Sequence, residues 1–385
     1  MASAQWQPLW SQIPEQLVSL PDYEAAAREF LPQTMQALLF ENNLQEQDTN
    51  AAALDKLSWV PKVLCPAIPN LACHLYNPNS AAVLDLHLPH PLWLSPVAHH
   101  KLYHPMGELA TLEAANLLQT PCIWSSLGTT PFAQLLVNDN LPNAVQWYWQ
   151  PLPTTKELSV KQLVEAFELR REYNLQLIEN LVHQGASLLI LTVDAPHSGV
   201  RAVSRRSGAS ISPEYQAVNL PATAQKAAPT LATLMAEAPT WEDLAWLVAR
   251  CPVPVLLKGV LDSDDAKRAQ AIGCAGIIAS NHGRRVLADV CPVAQCLPAI
   301  RQAVGDDFVI IADGGVRSGS NLAKLLALGA NAAAIGRGYI YGLALAGALG
   351  TAHVIKLLLE ELEVTMAILG AKDINELKNL PLFQS

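Results

Sequence analysis

The sequence predicts an α/β fold, a (β/α)8 TIM barrel with an N-terminal helical cap and a lid insertion between strands four and five. Three observations predict it. From about residue 90 short apolar runs recur at 91–94, 122–124, 145–149, 188–193, 253–257, 276–279, 308–312 and 332–335, which read as buried strands. Between most of them lie stretches with helical spacing, such as Met106-Gly107-Glu108-Leu109-Ala110-Thr111-Leu112-Glu113-Ala114-Ala115 and Asp264-Asp265-Ala266-Lys267-Arg268-Ala269-Gln270-Ala271. A polar or cationic residue stands at the end of every run, where a barrel of this kind lines its catalytic face. A doubly wound open sheet shares the alternation and is the competing architecture.

The chain is expected to form one domain. Residues 1–89 read as helical and then irregular, a cap against the barrel. Residues 90–350 carry the barrel, and residues 351–385 a C-terminal helical segment. Residues 202–240, rich in Ser, Ala and Pro, are too long for a plain connection and read as a mobile lid. A solvated insertion without function is the other reading of that segment.

Composition narrows the class. Of 385 residues, 51% are hydrophobic and 15% charged, a globular balance. A formal net charge of −9 argues against a nucleic-acid binder, which needs a basic face. Seven cysteines, an odd number without zinc-like CxxC pairs, argue against a disulfide framework and give no sign of a metal. The first residues, Met1-Ala2-Ser3-Ala4-Gln5-Trp6, lack the basic-then-apolar order of a signal peptide. No transmembrane segment is expected, since no uninterrupted apolar stretch reaches the length of one. A cytoplasmic location is therefore expected.

The strand ends carry the chemistry. Ser95-Pro96-Val97-Ala98 follows the first run, Ser125-Ser126 the second and Gln150 the third. Thr192 and Asp194 end the fourth, and Lys258 the fifth. Ser280-Asn281-His282-Gly283-Arg284-Arg285 ends the sixth, Asp313-Gly314-Gly315-Val316-Arg317 the seventh and Gly336-Arg337 the eighth. Phosphate sites in such barrels form after strands seven and eight. There Gly314, Gly315 and Gly336 permit close backbone approach, and Arg317 and Arg337 pair with phosphate. Each glycine alone is equally a simple turn; together they point to a phosphate-bearing cofactor.

Lys258 has three readings: a Schiff-base nucleophile as in barrel aldolases, a cation stabilising a reduced flavin ring, or a structural ion pair. Gln150 and Thr192 favour the flavin, whose rim needs hydrogen-bonding partners. His282 beside Arg285 suits proton or hydride abstraction from an anionic substrate, although a solvated basic loop has the same composition. Asp194 orients His282 or simply caps a helix.

These motifs resemble the FMN-dependent α-hydroxy acid dehydrogenase and oxidase family, the group of glycolate oxidase, lactate oxidase and lactate dehydrogenase-like flavoproteins. The likeness rests on Ser95-Pro96-Val97-Ala98, His104-Pro105-Met106-Gly107-Glu108, Leu191-Thr192-Val193-Asp194-Ala195-Pro196, Leu257-Lys258-Gly259-Val260, Ser280-Asn281-His282-Gly283, Asp313-Gly314-Gly315-Val316-Arg317 and Gly336-Arg337. It runs in family order from about residue 90 to the C-terminus. The resemblance implies FMN as cofactor, His282 as the base and Asp194 as its orienter. It implies Arg285 and Arg201 as carboxylate partners. Ala98, Ser125, Gln150, Thr192, Lys258 and Ser280 are the implied flavin contacts, with Asp313 on the ribityl or phosphate side and Gly315, Arg317, Gly336 and Arg337 around the phosphate. It also implies a homotetramer, or at least a homo-oligomer.

Departures from the family pattern bear on the substrate. The family's N-terminal tyrosine has no counterpart in Gln36-Ala37-Leu38-Leu39-Phe40-Glu41-Asn42. Its Gln-Leu-Tyr corresponds on this reading to Gln150-Pro151-Leu152, and Leu127 stands where short-chain oxidases often carry tryptophan. The expected activity is oxidation of a 2-hydroxy acid to a 2-keto acid, on lactate, glycolate or a larger apolar analogue, with O2, a quinone or another carrier as electron acceptor. The alternatives are the same chemistry on a non-carboxylate alcohol or modified peptide, an aldolase using Lys258, and a flavin-binding protein with little turnover.

Overall fold

The computed structural model describes residues 9–40, 48–153, 159–196, 211–221 and 230–384. The N-terminal region opens with helices Leu20–Phe30, Gln33–Leu39 and Thr49–Asp55. Ser19 starts the first by accepting the Asp22 N–H, with proline in its first turn. Strand β1 (Leu57–Trp59) pairs antiparallel with β12 (Leu382–Gln384), which ties the N-terminal region to the C-terminal segment. Strands β2 (Cys73–Asn77) and β3 (Leu84–Leu88) form an antiparallel hairpin.

The barrel strands are β4 (Leu92–Leu94), β5 (Ile123–Ser125), β6 (Ala144–Tyr148), β7 (Leu188–Thr192), β8 (Val255–Lys258), β9 (Gly276–Ser280), β10 (Val309–Asp313) and β11 (Ala332–Ile335). They hydrogen-bond in the order β4-β11-β10-β9-β8-β7-β6-β5, every pair parallel. A parallel bridge from Leu94 to Cys122 closes the ring, with the Leu94 N–H donating to the Pro121 carbonyl at 2.8 Å. Almost every strand residue is buried, because helices cover the outside and side chains fill the inside. That is why these strands read as continuous apolar runs instead of alternating ones.

The surrounding helices carry their own start signals. Asp262 caps Ser263–Ala271 by accepting the Asp264 and Asp265 N–H groups. Thr240 and Asp243 form a capping box at the start of Trp241–Val248, and Asp243 also takes Arg171 of helix Phe167–His183 at 2.6 Å. Helix Arg337–Leu369 runs through residue 350, where the barrel was expected to end. It breaks its helical geometry at Ala346 and Gly347. By length and composition it is apolar enough to cross a membrane, but its most apolar window is 67% buried inside the protein, as in a core helix.

All eight expected strands are present, the eighth as expected at Ala332–Ile335 and the others with at least one end displaced by one or two residues. The third begins and ends one residue early, at Ala144–Tyr148. Within the stretch read as a lid, the described residues include a short 3-10 turn, Pro213–Tyr215, and a helix, Leu231–Glu237. Residues 202–210 and 222–229 of that stretch lie outside the described residues.

The hairpin fixes which end of the barrel is which. Leu75, Leu84 and Leu88 pack with Trp93, Ile123 and Ile190 into a core separate from the main one. Asn77 donates to the Ala275 carbonyl just before β9. The hairpin therefore plugs the N-terminal end, and the C-terminal ends are left for chemistry.

Candidate active site

The C-terminal ends of the strands converge on one cavity. Ala98, Ser125, Thr192, Lys258, His282, Arg285, Asp313, Gly315, Arg317, Gly336 and Arg337 all line it. Asp194 and Ser280 stand directly behind this lining and touch it through His282 and Lys258. Arg201 lies outside the described residues.

His282 sits on the loop after β9 with a left-handed backbone (φ 54°), followed by Gly283 (φ 59°) and Arg284 (φ 60°). A non-glycine residue pays roughly 1–2 kcal/mol for that conformation, a cost found at sites where a side chain must be aimed. The His282 Nδ1 lies 3.1 Å from the Asp194 carboxylate. Burial alone would raise the Asp194 carboxyl, but the hydrogen bond from His282 and the charge of Lys258 outweigh it and hold it below the ordinary carboxylate value. Asp194 is thus an ionised orienter of the imidazole.

Ser280 organises the next layer. Its hydroxyl accepts from the Lys258 ammonium at 3.2 Å and from the His282 N–H at 3.1 Å, and donates to Asp313 at 3.1 Å. Lys258 and Asp313 form an ion pair at 3.3 Å with both side chains largely buried. The ion pair holds the Lys258 Nζ in place at the cavity wall.

Gln150 does not reach the cavity. Its backbone N–H donates to Asn174 and its amide to the Tyr148 carbonyl. The glutamine in the site is Gln146, inside β6, which accepts from Ser125 at 3.2 Å and donates to Thr192 at 2.9 Å. Two residues further, Tyr148 lines the same cavity. The Gln-x-Tyr pattern is Gln146-Trp147-Tyr148, so one of the two tyrosines counted as missing is present. Leu152 does not line the cavity, whereas Leu127 does. The signal was in the sequence: a glutamine and a tyrosine two apart on one strand face.

The N-terminal region supplies residues that strand-end reasoning could not find. Asn50 and Asn281 exchange amide hydrogen bonds of 2.9 and 2.8 Å, which ties helix Thr49–Asp55 to the His282 loop. Leu38 lines the cavity, and its carbonyl accepts from the Arg285 guanidinium. The residue that Arg285 holds through its carbonyl thus brings an aliphatic side chain to the cavity. Asp48 binds both Arg317 (2.9 Å) and Arg337 (3.2 Å) through one carboxylate oxygen, and Glu24 adds a second contact to Arg317 at 3.2 Å.

The lining fits FMN on its own chemistry. Gln146, Ser125 and Thr192 line the cavity with amide and hydroxyl groups that would suit the polar rim of a flavin ring, and Lys258 would add positive charge beside it. The Ser95 hydroxyl is buried at the cavity with no hydrogen-bond partner among the described residues, leaving a polar group for a ligand to satisfy. A Cβ at Gly336 would meet nothing nearer than Ser95 at 3.8 Å, so the backbone there is open to a phosphate flanked by Arg317 and Arg337.

Comparison with known proteins agrees. The sequence profile of the FMN-dependent dehydrogenase family matches residues 27–383. An L-lactate oxidase of Alicycliphilus denitrificans is 37% identical over 298 residues, 75% of this chain and 77% of its own length. An L-lactate oxidase of Roseobacter sp. is 33% identical over 371 residues, 94% and 93% of the two chains. Among solved structures, mandelate oxidase with (S)-2-phenylpropionate superposes with a TM-score of 0.80 at 27% identity, covering 96% of this chain and 99% of that one. The chain belongs to the FMN-dependent dehydrogenase family, whose 2-hydroxy acid oxidase members it matches along nearly its full length.

Proposed function

We propose that this enzyme, an FMN-dependent oxidoreductase acting on the CH–OH of 2-hydroxy acids, prefers a substrate with a side chain larger and more apolar than that of lactate. The observation that carries the reading is the His282–Asp194 pair at 3.1 Å on the wall of the cavity. With Nδ1 taken by Asp194, Nε2 is left to receive the substrate's hydroxyl proton. Asp194 stabilises the imidazolium that results. Arg285, joined by Arg201, holds the substrate carboxylate, and Tyr148 adds a hydroxyl to the same anion. Bound FMN supplies the acceptor for the hydride equivalent that leaves Cα. Ser125, Gln146, Thr192 and Lys258 hold its ring, Asp313 and Ser280 support them, and Gly315, Gly336, Arg317 and Arg337 hold its phosphate.

Leu38 and Leu127 support the larger substrate. Both line the cavity, and burying apolar substrate surface against them stabilises binding by about 25 cal/mol per Å2. A short acid gains little there. Lys258 as a Schiff-base nucleophile is disfavoured by its ion pair to Asp313, because the attacking amine must be neutral. The oxidase names of the relatives support O2 as acceptor, with a quinone or other carrier as the alternative. A cytoplasmic homo-oligomer is part of the same proposal.

The test is an anaerobic panel of 2-hydroxy acids against the yellow holoenzyme, followed by admission of oxygen. Bleaching that is fastest with aliphatic or aromatic side chains, and recovery in air, are expected. Faster bleaching by glycolate or lactate than by every larger acid would overturn the substrate assignment. His282→Asn should retain the flavin and lose bleaching; unchanged turnover would refute its role as base.

A further inference from the structure

The β2–β3 hairpin lies at the end of the barrel opposite the catalytic cavity. Its inner face buries Leu75, Leu84 and Leu88. Side chains alternate along a strand, so the other face turns His74, Tyr76, Asp85 and His87 outward. His74 and His87 are direct cross-strand partners, and Asp85 lies two residues before His87 on the same face. The His74 Nε2 is 2.7 Å from one Asp85 carboxylate oxygen, and the His87 Nε2 is 3.5 Å from that same oxygen. The two imidazoles stack with centroids 4.0 Å apart. One ligand atom from each of the three residues lies within 4.8 Å of the other two.

We propose that His74, Asp85 and His87 bind a divalent transition-metal ion, with zinc the expected occupant. Two imidazole nitrogens and a carboxylate oxygen are the donor set that zinc takes, at roughly 2.0–2.2 Å each, with water completing a tetrahedron. The same donors bind nickel and copper, whereas magnesium and calcium require more oxygens. Asp85 already draws both imidazoles to one oxygen. A metal ion would take the place of the hydrogen bond at that oxygen, and the two rings, now stacked within 12° of parallel, would turn apart until both nitrogens face it. The buried leucines and the strand register fix where all three side chains start. The site bridges the two strands of the barrel plug and acts on stability, not on the reaction. His74 stands 11 and 13 residues before the other two, and only the strand pairing brings it to them, which is why no sequence pattern marks a metal site.

The test is titration of the FMN-loaded full-length protein with zinc alone against a chromophoric chelator. Cys65→Ser and Cys291→Ser form the background, since both thiols are exposed. One equivalent bound with micromolar affinity is expected, weakened about tenfold or more in His87→Ala and in Asp85→Asn. Zinc should raise the unfolding midpoint of the parent and not of these variants. All three positions face solvent, so the variants are expected to fold. No saturable binding in the parent, or unchanged affinity in both variants, would overturn the proposal.

Discussion

Gly259 passes directly beneath Asp194: a Cβ at position 259 would stand 2.2 Å from the carboxylate carbon and 2.7 Å from the oxygen that holds His282. The backbone there is also in the glycine region, at φ +106°. Gly259 is the first residue after β8, so the strand that places Lys258 also leaves the space in which Asp194 sits. Gly259→Ala must displace Asp194 and release the imidazole. Substrate-driven flavin reduction should slow by about 10²-fold or more, the usual scale of a misplaced general base, while the protein stays yellow. Anaerobic stopped-flow reduction compared with Asp194→Asn checks this. Reduction at the parent rate in Gly259→Ala would show that the close packing has no catalytic consequence.

On the proposed substrate preference, Leu38 is the residue that disfavours short acids. Its carbonyl is bound by Arg285 and its side chain faces the cavity, where the family places a tyrosine. Leu38→Tyr should restore one hydrogen bond to a charged carboxylate, worth about 1.5–3 kcal/mol. The expected outcome is a kcat/KM for glycolate or lactate raised by about tenfold, together with a loss on bulky apolar acids. Steady-state kinetics on both substrate classes decide it, and a parallel change in the two would refute a specificity role.

The barrel was legible because each of its strands is buried on both faces, which leaves an unbroken apolar run in the sequence. The strand ends were not, and the β6 error shows why. Trp149 prolongs the apolar run past the end of the ladder, so the rule of polar residues after strands selects Gln150. Gln146 is polar inside a strand because it faces the open mouth of the barrel. The N-terminal contributions were illegible for a different reason. Asn50 meets Asn281 across 231 residues, and local patterning holds no trace of such a contact. The placement of His282, Asp194, Arg317 and Arg337 around one cavity was readable because loops after strands carry them in short runs.

Glu108 sets an acid limit on stability. Its carboxylate accepts the Thr129 N–H at 2.8 Å and the Thr129 and Thr130 hydroxyls at 2.7 and 2.8 Å. Burial pushes this carboxyl up, but His100 and those three donors outweigh it and hold it below its ordinary value. A carboxyl depressed by folding stabilises the protein fully above its unfolded value, near 4.3. That stability is lost as pH falls through the lower folded value. Asp194 acts in the same direction. Glu108→Gln should cost about 1–3 kcal/mol at pH 7 and flatten the loss of stability on acidification. Denaturant melts at pH 7 and stepwise below pH 5 measure both effects. An unchanged acid slope would place the linkage elsewhere.

Asp48 competes for the cations expected to hold the cofactor's phosphate. One of its oxygens pairs with Arg317 and Arg337, and Glu24 takes Arg317 again. Asp48 and Glu24, the latter shared with Arg28 at 2.7 Å, therefore offset part of the positive charge that an entering phosphate meets. Charge-assisted contacts in such half-buried surroundings are worth about 1.5–3 kcal/mol, so relieving one carboxylate matters. Asp48→Asn should tighten FMN binding to the flavin-free protein by about tenfold. Riboflavin, which lacks the phosphate, should bind the variant and the parent alike. Flavin fluorescence quenching in titrations of both ligands separates the cases. Weaker FMN binding in Asp48→Asn would mean that Asp48 positions the two arginines, while equal changes for FMN and riboflavin would remove the phosphate from the explanation.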